Sequence, residues 1–199
     1  MSEVRGNAQT DIHPILASRW SPRAFNAARP VEKSKLIACL EAARWAPSCF
    51  GDEPWRFIVC DRSQNEDAWQ ALLTCLTPKN QGWAKNAPVL MLACSAMNFR
   101  KGNPNRWGEY DTGQAAVSLC LQAESLGLAS HQMGGFDSEA VRTAFDIPAD
   151  FTPMAAIALG YHADAGILDE GFRNVELTGR QRRPMGEGFF AGGWNQPVT

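Results

Sequence analysis

The 199-residue sequence predicts a single domain in which helices mix with about four short strands. Two observations indicate this mixed fold. Apolar runs of strand length and longer segments of helical periodicity follow one another without a regular strand–helix–strand repeat. In addition, no predicted strand leads into a G-x-G-x-x-G turn, the fingerprint of a dinucleotide-binding Rossmann domain. The sequence therefore disfavours that class of fold.

Four helices are predicted from apolar residues at helical spacing, over residues 31–46, 65–76, 112–125 and 137–145. The apolar face of the first helix consists of Leu36, Ile37, Leu40 and Ala43. Asp111 or Thr112 is expected to begin the third helix, and Asp137 is expected to cap the fourth. A face of mostly small residues on the third helix should let another helix approach closely; it consists of Ala115, Ala116, Leu119, Ala123 and Leu126.

Strands are predicted where short apolar runs are bounded by turn residues, over residues 55–60, 88–95 and 154–160. A further short strand is expected before His131. The tail from Ala163 to Thr199 is rich in Gly, Arg and aromatic residues and has little periodicity. Such a tail needs a surface to pack against, and a second subunit is a natural candidate.

Composition and charge argue against several classes of protein. The formal net charge of −2 gives no general attraction to nucleic acid or to an anionic membrane. No apolar run approaches the roughly 20 residues that span a bilayer, and the polar N-terminus lacks the apolar stretch of a signal peptide. The six cysteines form no Cys-x-x-Cys pair, and the three histidines are widely spaced. We therefore expect a cytoplasmic protein with free thiols and without a metal site.

Two polar clusters lie in the N-terminal third of the chain. The first, Arg19-Trp20-Ser21-Pro22-Arg23, places two guanidinium groups around a hydroxyl, a set of donors that suits a phosphate. The second, residues 46–57, holds prolines, a glycine and a serine between a helix and a strand, where ligand loops are common. Taken alone, the first cluster also fits an exposed polar turn, and the second a stiff connection.

Two further clusters follow later in the chain. The third cluster, residues 131–136 (HQMGGF), lies between a short strand and a helix, where the backbone N–H groups of Gly134 and Gly135 could approach a flat ligand without a Cβ clash. Residues 180–184 form a basic run, RQRRP, in the tail. By itself a Gly-Gly turn is a weak indicator of a ligand, and the basic run also fits a solvated surface.

Five motifs occur in order along the chain: RWSPRAF, APSxxxxxPWRF, WGEYDTGQAA at the start of the long helix, MGGFD, and RxRRP near the end. Their order and spacing resemble the nitroreductase family of FMN enzymes. The resemblance extends from about Ile15 to Trp194, which is nearly the whole chain.

The resemblance implies FMN contacts residue by residue. Arg19 and Ser21, with Arg180 and Arg182, would bind the phosphate, and Arg23 would lie near the ribityl chain and the N1/O2 edge of the flavin. The remaining implied cofactor-binding residues are Trp20, Pro47, Ser48, Cys49, Phe50, Gly51, Met133, Gly134 and Gly135. A backbone N–H group of Gly134, ranked slightly above Gly135, would lie near flavin N5, which carries the redox chemistry, so no catalytic side chain is expected.

The sequence departs from the family pattern at two positions of the second motif. Gly51 stands where many members have Asn, and Glu53 stands where they have Gln before Pro-Trp. The side-chain amide that meets the pyrimidine edge of the flavin would then be missing. The PWRF sequence that follows still matches the family.

The resemblance implies an α+β fold, with a mainly antiparallel sheet of four to five strands flanked by helices. Residues 1–199 would form one domain, with residues 165–199 as an arm that packs on the partner subunit of an intertwined homodimer. The implied activity is that of an FMN-dependent oxidoreductase: NAD(P)H reduces the FMN, and an electron-poor small molecule then takes the electrons. Nitroaromatics, quinones and activated enones are the implied acceptors. No nucleic acid or membrane partner is implied.

Two alternatives stay open. One is a specialised member of the same fold, such as a dehalogenase or a reductase of small enoyl compounds or aldehydes. The other is an FMN-binding protein without turnover, serving as a store or redox sensor. Phe50, Trp83, Trp107 and Phe136 are candidates to contact a planar substrate, although each also suits core packing. His131 fits a structural hydrogen bond better than proton donation to substrate, and the sequence does not select between NADH and NADPH.

Overall fold

The computed structural model describes residues 6–198, so the outermost residues of the predicted domain and arm, 1–5 and 199, lie outside the described residues. In that range the elements are α1 (Pro14–Ser18), α2 (Lys33–Arg44), β1 (Trp55–Asp61), α3 (Glu66–Cys75), α4 (Pro78–Ala84), β2 (Val89–Ala96), α5 (Gly108–Ser125), β3 (Ala129–Met133), α6 (Ser138–Ala144), β4 (Phe151–Gly160) and α7 (Glu170–Leu177). Three short 3-10 turns lie at Cys49–Gly51, Ala165–Ile167 and Met185–Glu187.

The four strands form one sheet in the order β1-β2-β4-β3, and every neighbouring pair is antiparallel. The predicted α+β fold with a mainly antiparallel sheet is thereby confirmed. Strand β2 is buried along almost its whole length, as expected of a central strand that is covered on both faces. The two edge strands are β1 and β3, and the predicted functional segments lie beside these edges.

Helices cover both faces of the sheet. Alternate residues of β2 point to opposite faces, so Leu90 and Leu92 pack with α3 and α4, whereas Val89 and Met91 pack with α2 and α5. The core on the α3 side includes Trp69, Leu72, Trp83, Val141 and Ala158, and the core on the α5 side includes Leu36, Cys39, Leu119 and Ile157. Ile37, predicted to face the core, is 53% exposed, because the inward face of α2 runs through Leu36, Cys39 and Ala43.

The long helix α5 begins at Gly108, earlier than predicted. The Asn105 side chain accepts a hydrogen bond from the N–H group of Trp107 at 3.0 Å, so the chain is turned into the helix upstream of Asp111. Asp111 therefore does not cap the helix. It lies in the first turn, is 3% exposed, and accepts a hydrogen bond from a distant loop.

The small-residue face of α5 packs inside the chain. Ala115, Ala116, Leu119 and Ala123 are buried against α2 and the sheet. A helix does approach this face closely, as predicted, but it is α2 of the same chain. Because α2 and the sheet cover it within one chain, this face is not available to a second subunit. The outer side of α5 instead exposes Tyr110 and Val117.

The described residues also bear on the environment of the protein. None of their helices combines the length and the apolar character needed to cross a membrane. The six cysteines carry free thiols, and only Cys49 is partly accessible. Burial raises the pKa of the Cys39, Cys60 and Cys94 thiols to about 11, which keeps them protonated and unreactive at neutral pH.

Candidate functional site

The segment Arg19–Phe25 lies next to the end of β4 and contacts β3. It is attached to the residues that follow β4, because the Asn26 N–H group donates to the Tyr161 carbonyl at 2.8 Å and the Ala163 N–H group donates to the Ala24 carbonyl at 2.9 Å. His131 on β3 lies with Nδ1 at 2.9 Å from the Pro22 carbonyl oxygen. The fold thus brings the first and third predicted clusters together.

The tail returns to the same place. The Arg180 guanidinium donates to the carbonyl oxygens of Arg19 at 2.7 Å and Ala17 at 2.9 Å. Arg19 Nη1 in turn lies 3.4 Å from Ser21 Oγ. Three of the four predicted phosphate ligands are therefore in direct contact, although Arg180 is 161 residues from Arg19 in the chain. The fourth, Arg182, lies close enough for its charge to act on Arg180.

These arginines concentrate positive charge without a carboxylate counter-ion among the described residues. Within residues 6–198, no carboxylate oxygen lies within 4.0 Å of the guanidinium groups of Arg19, Arg23, Arg180 or Arg182. Burial, reinforced by the positive charges of Arg19 and Arg182, lowers the pKa of Arg180 below that of an ordinary arginine. A bound anion would relieve this repulsion. The set of guanidinium groups and one hydroxyl fits a phosphate monoester, which takes several charge-assisted hydrogen bonds.

Two cavities flank this arginine cluster. One of about 510 Å³ opens between the N-terminal segment and the tail, and Arg180, Arg182, Ile12, Leu16 and Phe189 are among its lining residues. The other, of about 440 Å³, is lined by Arg23, Lys79, Asp169, Gly171, Phe172 and Val175. Both combine cationic and apolar groups, as an amphipathic, anionic ligand requires.

The Gly-Gly turn follows β3 directly, and its two glycines have different environments. The Gly135 carbonyl accepts hydrogen bonds from the Thr77 N–H group and from Asn80 Nδ2, both at 3.0 Å. A Cβ atom on Gly135 would come within 2.7 Å of Asn80 Nδ2, whereas one on Gly134 would meet nothing within 4 Å. Gly135 is thus needed for packing, and Gly134 presents its backbone to open space next to the buried Met133.

The loop that contains Pro47–Gly51 has an unusual backbone. Phe50, Gly51 and Glu53 have φ values of +55°, +64° and +51°, in the left-handed region that costs energy for residues other than glycine. Several hydrogen bonds hold the loop. Among them, the Cys49 N–H group donates to Asp111 Oδ2 at 2.9 Å, the Glu53 N–H group donates to Ser48 Oγ at 3.0 Å, and the Arg100 N–H group donates to Asp52 Oδ1 at 3.1 Å.

This loop presents an aromatic ring to the surroundings. The Phe50 side chain is 94% exposed, and its ring touches that of Phe99 edge-on with centroids 6.0 Å apart. Glu53, one of the two departures from the family pattern, directs its carboxylate to Arg100 at 3.8 Å. A strained loop that exposes a large apolar ring indicates a binding surface rather than a simple connection.

The loop and the arginine cluster lie at opposite edges of the sheet. The loop leads into β1, whereas segment 19–25 contacts His131 on β3, and β2 and β4 separate these two strands. Three strand spacings of about 4.8 Å put the two edges about 14 Å apart. They also lie toward opposite ends of the sheet. The Ala96 N–H group donates to the Pro54 carbonyl at the position on β2 that pairs with the start of β4, whereas Phe25 pairs with His162 beyond the end of β4. Within one chain the two predicted parts of the site therefore do not meet.

Glu176 and His162 contribute to the arginine cluster without having been predicted. Glu176 on α7 is 1% exposed and accepts hydrogen bonds from the N–H groups of Arg23 at 2.9 Å and Ala24 at 3.1 Å. His162 Nε2 lies 3.5 Å away, and the His162 ring lies 5.5 Å from that of Trp20. Burial alone would raise the pKa of Glu176, but these partners outweigh it and hold the pKa below its ordinary value. The carboxylate is therefore ionised at neutral pH.

His131 has the structural role that the sequence favoured. The Pro22 carbonyl can only accept a hydrogen bond, so Nδ1 carries the proton of the ring. Burial, together with the charges of Arg23 and Arg19, lowers the pKa of His131 to about 4. The ring is thus neutral at physiological pH and packs on Trp83, with centroids 4.5 Å apart. It connects β3 to the segment that carries the arginines.

The aromatic substrate candidates separate into two groups. Trp83 is 1% exposed, so it is not free to contact a substrate, and Phe136 is partly buried against the core. Trp107 and Phe50 are 42% and 94% exposed and stay available. In the part of the chain that the structure describes, no group of three or more His, Cys, Asp or Glu side chains could hold a metal ion.

Comparison with known proteins gives matches over most of the chain. A sequence model of the Nitroreductase family matches residues 16–161. A 15.4 kDa protein of Mycolicibacterium smegmatis without an assigned activity is 32% identical over 72% of this chain and 99% of its own length. A candidate NADH dehydrogenase/NAD(P)H nitroreductase of Methanothermobacter thermautotrophicus is 28% identical over 79% of this chain and 80% of its own.

Solved structures agree with these sequence matches. The crystal structure of an FMN-containing oxidoreductase has a TM-score of 0.91 and 32% identity, covering 98% of this chain and 99% of its own. A nitroreductase family protein of Clostridium difficile 630 has a TM-score of 0.69 and 25% identity, covering 90% and 96% of the two chains.

Proposed function

Because the chain belongs to the nitroreductase family of FMN-dependent oxidoreductases, we propose that it oxidises NAD(P)H and passes the electrons to an electron-poor acceptor. Nitroaromatics, quinones and activated enones are the acceptor classes. FMN supplies the redox chemistry when bound, by accepting and returning hydride at N5. The observation that carries the proposal is the cluster of Arg19, Ser21, Arg180 and Arg182, which lacks a carboxylate counter-ion among residues 6–198.

In this proposal each residue of the cluster has a role toward the cofactor. Arg19, Ser21 and Arg182 would donate hydrogen bonds to the FMN phosphate, and Arg180 would add charge while it holds the carbonyl oxygens of Ala17 and Arg19 in place. Arg23 would supply a positive charge toward the N1/O2 edge of the flavin, which favours the reduced cofactor. The backbone N–H group of Gly134, which faces open space, would donate a hydrogen bond to flavin N5.

We further propose that the second part of the site, Pro47–Gly51, comes from the partner subunit of a homodimer. The separation of the loop from the arginine cluster within one chain supports this arrangement. Large exposed apolar side chains support an interface as well: Leu177, Phe189 and Trp194 in the arm 165–199 are 64–84% exposed. The intertwined dimer would cover these residues and complete two flavin sites.

A subunit complementation experiment tests the shared site. Arg19→Ala/Arg182→Ala removes phosphate donors, and Gly51→Val distorts the loop, since a β-branched residue does not tolerate φ +64°. Each variant homodimer should lose FMN. Co-expression with two different tags gives a heterodimer for purification and flavin analysis, with a doubly tagged wild-type dimer as the control.

The two arrangements give opposite results. If each site uses both chains, the heterodimer contains one intact site and one doubly defective site, and it retains about half of the wild-type FMN. If each chain forms its own site, both sites are defective and the heterodimer retains none. The latter result would contradict the shared site.

Catalytic turnover is tested separately. The flavin released from purified protein is identified by its absorbance and mass, and NADH and NADPH oxidation is followed with a quinone and a nitroaromatic. We expect FMN and steady-state turnover with at least one acceptor. Full occupancy by FMN without turnover on any acceptor would favour the non-catalytic alternative. A protein that neither contains nor binds FMN would contradict the proposal altogether.

A further inference from the structure

We infer that Glu176 is a positioning residue that, together with Arg180, makes FMN binding and the docking of the C-terminal tail mutually dependent. The inference rests on the proposed function, since it assigns residues 17–24 to the FMN phosphate and the flavin edge. It concerns a side chain that binds backbone and has no predicted contact with the cofactor. The tail segment from Glu176 to Arg180 is called the clamp below.

The clamp holds the arginine segment at both ends with opposite chemistry. At one end Arg180 donates to the carbonyl oxygens of Ala17 and Arg19. At the other end Glu176 accepts hydrogen bonds from the N–H groups of Arg23 and Ala24. Both side chains come from the same short stretch of the tail, more than 150 residues away in sequence.

Glu176 is placed so that it fixes the backbone of residues 23 and 24. A buried carboxylate is costly unless its oxygens are fully hydrogen-bonded, and both Glu176 oxygens accept from the backbone of residues 23 and 24. Without this acceptor two backbone N–H groups lose their partner, and the backbone that directs the Arg23 and Arg19 side chains is free to change. The arginines would then lose their preset geometry, so that FMN binding would have to impose it.

The coupling is reciprocal by thermodynamic necessity. If tail docking increases the affinity for FMN, FMN binding must stabilise tail docking by the same factor. Hydrogen exchange should therefore slow in residues 170–178 when FMN binds, although none of these residues has a predicted contact with the cofactor. A purely structural Glu176 would protect the tail equally with and without FMN.

Variants at Glu176 test the inference in the full-length holoprotein. Glu176→Ala removes both acceptor oxygens, whereas Glu176→Gln keeps one oxygen that can accept from Arg23 and Ala24. Glu170→Gln, at the exposed start of the same helix, is the matched control. Leu36→Ala, in the core on the other face of the sheet, controls for general destabilisation.

The first readout is the rate of FMN release, followed by the recovery of flavin fluorescence after dilution. We expect release about tenfold or more faster in Glu176→Ala, an intermediate rate in Glu176→Gln, and the wild-type rate in both controls. The second readout is hydrogen exchange, by mass spectrometry, of peptides covering residues 19–26 and 170–178. Exchange in both peptides should rise together in Glu176→Ala.

The outcomes separate this inference from the proposed function. Wild-type protein without FMN would contradict the proposed function. Wild-type protein with FMN, combined with an unchanged release rate in Glu176→Ala, would overturn the inference alone. Equal acceleration in Leu36→Ala would overturn it as well, because release would then follow overall stability. If hydrogen exchange in the tail peptide of the wild type did not change when FMN binds, this result would contradict the reciprocal coupling.

Discussion

The arginine segment 17–24 and the loop 48–53 are held in place by different means. The arginine segment depends on residues of the tail, Glu176 and Arg180, which come from the far end of the chain. The loop is held partly by itself, since the Glu53 N–H group donates to Ser48 Oγ. From outside the loop, Asp111 of α5 accepts from the Cys49 N–H group, and the Arg100 N–H group donates to Asp52. The first region presents positive charge, and the second presents a strained backbone and an exposed ring.

Both regions are held by a buried carboxylate from a distant part of the chain. Asp111 and Glu176 are the two carboxylates that are buried within residues 6–198, and each accepts hydrogen bonds from backbone N–H groups of a proposed flavin-binding segment. A carboxylate tolerates such burial when backbone donors satisfy its oxygens. The comparison teaches that a segment without regular secondary structure acquires a defined backbone when a distant buried acceptor holds it.

The largest expected effect is on FMN affinity, when a positive charge is removed from the arginine segment. Arg19→Ala removes a guanidinium group whose one side-chain hydrogen bond in the described protein is to Ser21. We expect the affinity for FMN to fall about a hundredfold, the worth of a charge-assisted phosphate contact, with little change in melting temperature. Fluorescence titration of the apoprotein measures the change, with Lys33→Ala on the exposed start of α2 as the control. An unchanged affinity would contradict the phosphate assignment.

The next effect concerns the support of the loop. Asp111→Ala leaves the Cys49 N–H group without its buried acceptor, so the free energy of unfolding should fall by about 2 kcal/mol. Asp111→Asn keeps one oxygen acceptor, so its free energy of unfolding should fall by less. Chemical denaturation of both variants measures the difference, with Glu109→Ala, an exposed residue in the same helical turn, as the control. Equal losses in Asp111→Ala and Glu109→Ala would show that the loop does not depend on this acceptor.

Acid should lower the free energy of unfolding through His131, which supports the arginine segment. Its pKa is lowered by burial from 6.5 to about 4, so the unfolded chain binds a proton before the folded protein does as the pH falls. Stability is therefore lost between pH 6.5 and 4, at about 1.4 kcal/mol per pH unit. Glu176 does not contribute above its ordinary pKa of 4.5, because its folded pKa is lowered.

Urea denaturation at half-unit pH steps measures this dependence. His131→Gln can still donate a hydrogen bond to the Pro22 carbonyl but does not titrate. The slope between pH 6.5 and 4.5 should become smaller in this variant by about the His131 contribution. A slope identical to that of the wild type would assign the acid sensitivity to other groups.

The smallest effect on stability is expected at Phe50. Phe50→Asn places a residue that tolerates the left-handed region at φ +55° and removes a ring that is 94% exposed. We expect stability to stay within about 1 kcal/mol of the wild type, with relief of strain offsetting the lost contact with Phe99. The KM for a planar quinone should rise, measured beside Phe99→Leu. A large loss of stability with an unchanged KM would make the ring structural.

Local signals predicted most of the secondary structure. Asp137 caps α6 through hydrogen bonds from the N–H groups of Glu139 and Ala140, as its position before the helix indicated. The strand predicted over residues 88–95 forms at Val89–Ala96. The start of α5 was missed, because the turn at Asn105 and Trp107 precedes the periodic part of the helix. Capping and periodicity involve neighbours within a few residues, so they can be read from a sequence directly.

By itself the sequence determined four of the helices and the four strands of the mixed fold, whereas α1, α4 and α7 were not predicted. The order of five motifs identified the nitroreductase family. Only the tertiary structure decided what holds the site. Glu176 accepts from the Arg23 N–H group, the Arg180 guanidinium donates to the Arg19 carbonyl, and Asp111 accepts from the Cys49 N–H group. It also decided that α2 occupies the small-residue face of α5 and that the loop and the arginine cluster lie apart. The physical reason is that such contacts depend on the path of the whole chain. A lone carboxylate in an aperiodic tail carries no local signal of the backbone that it will meet.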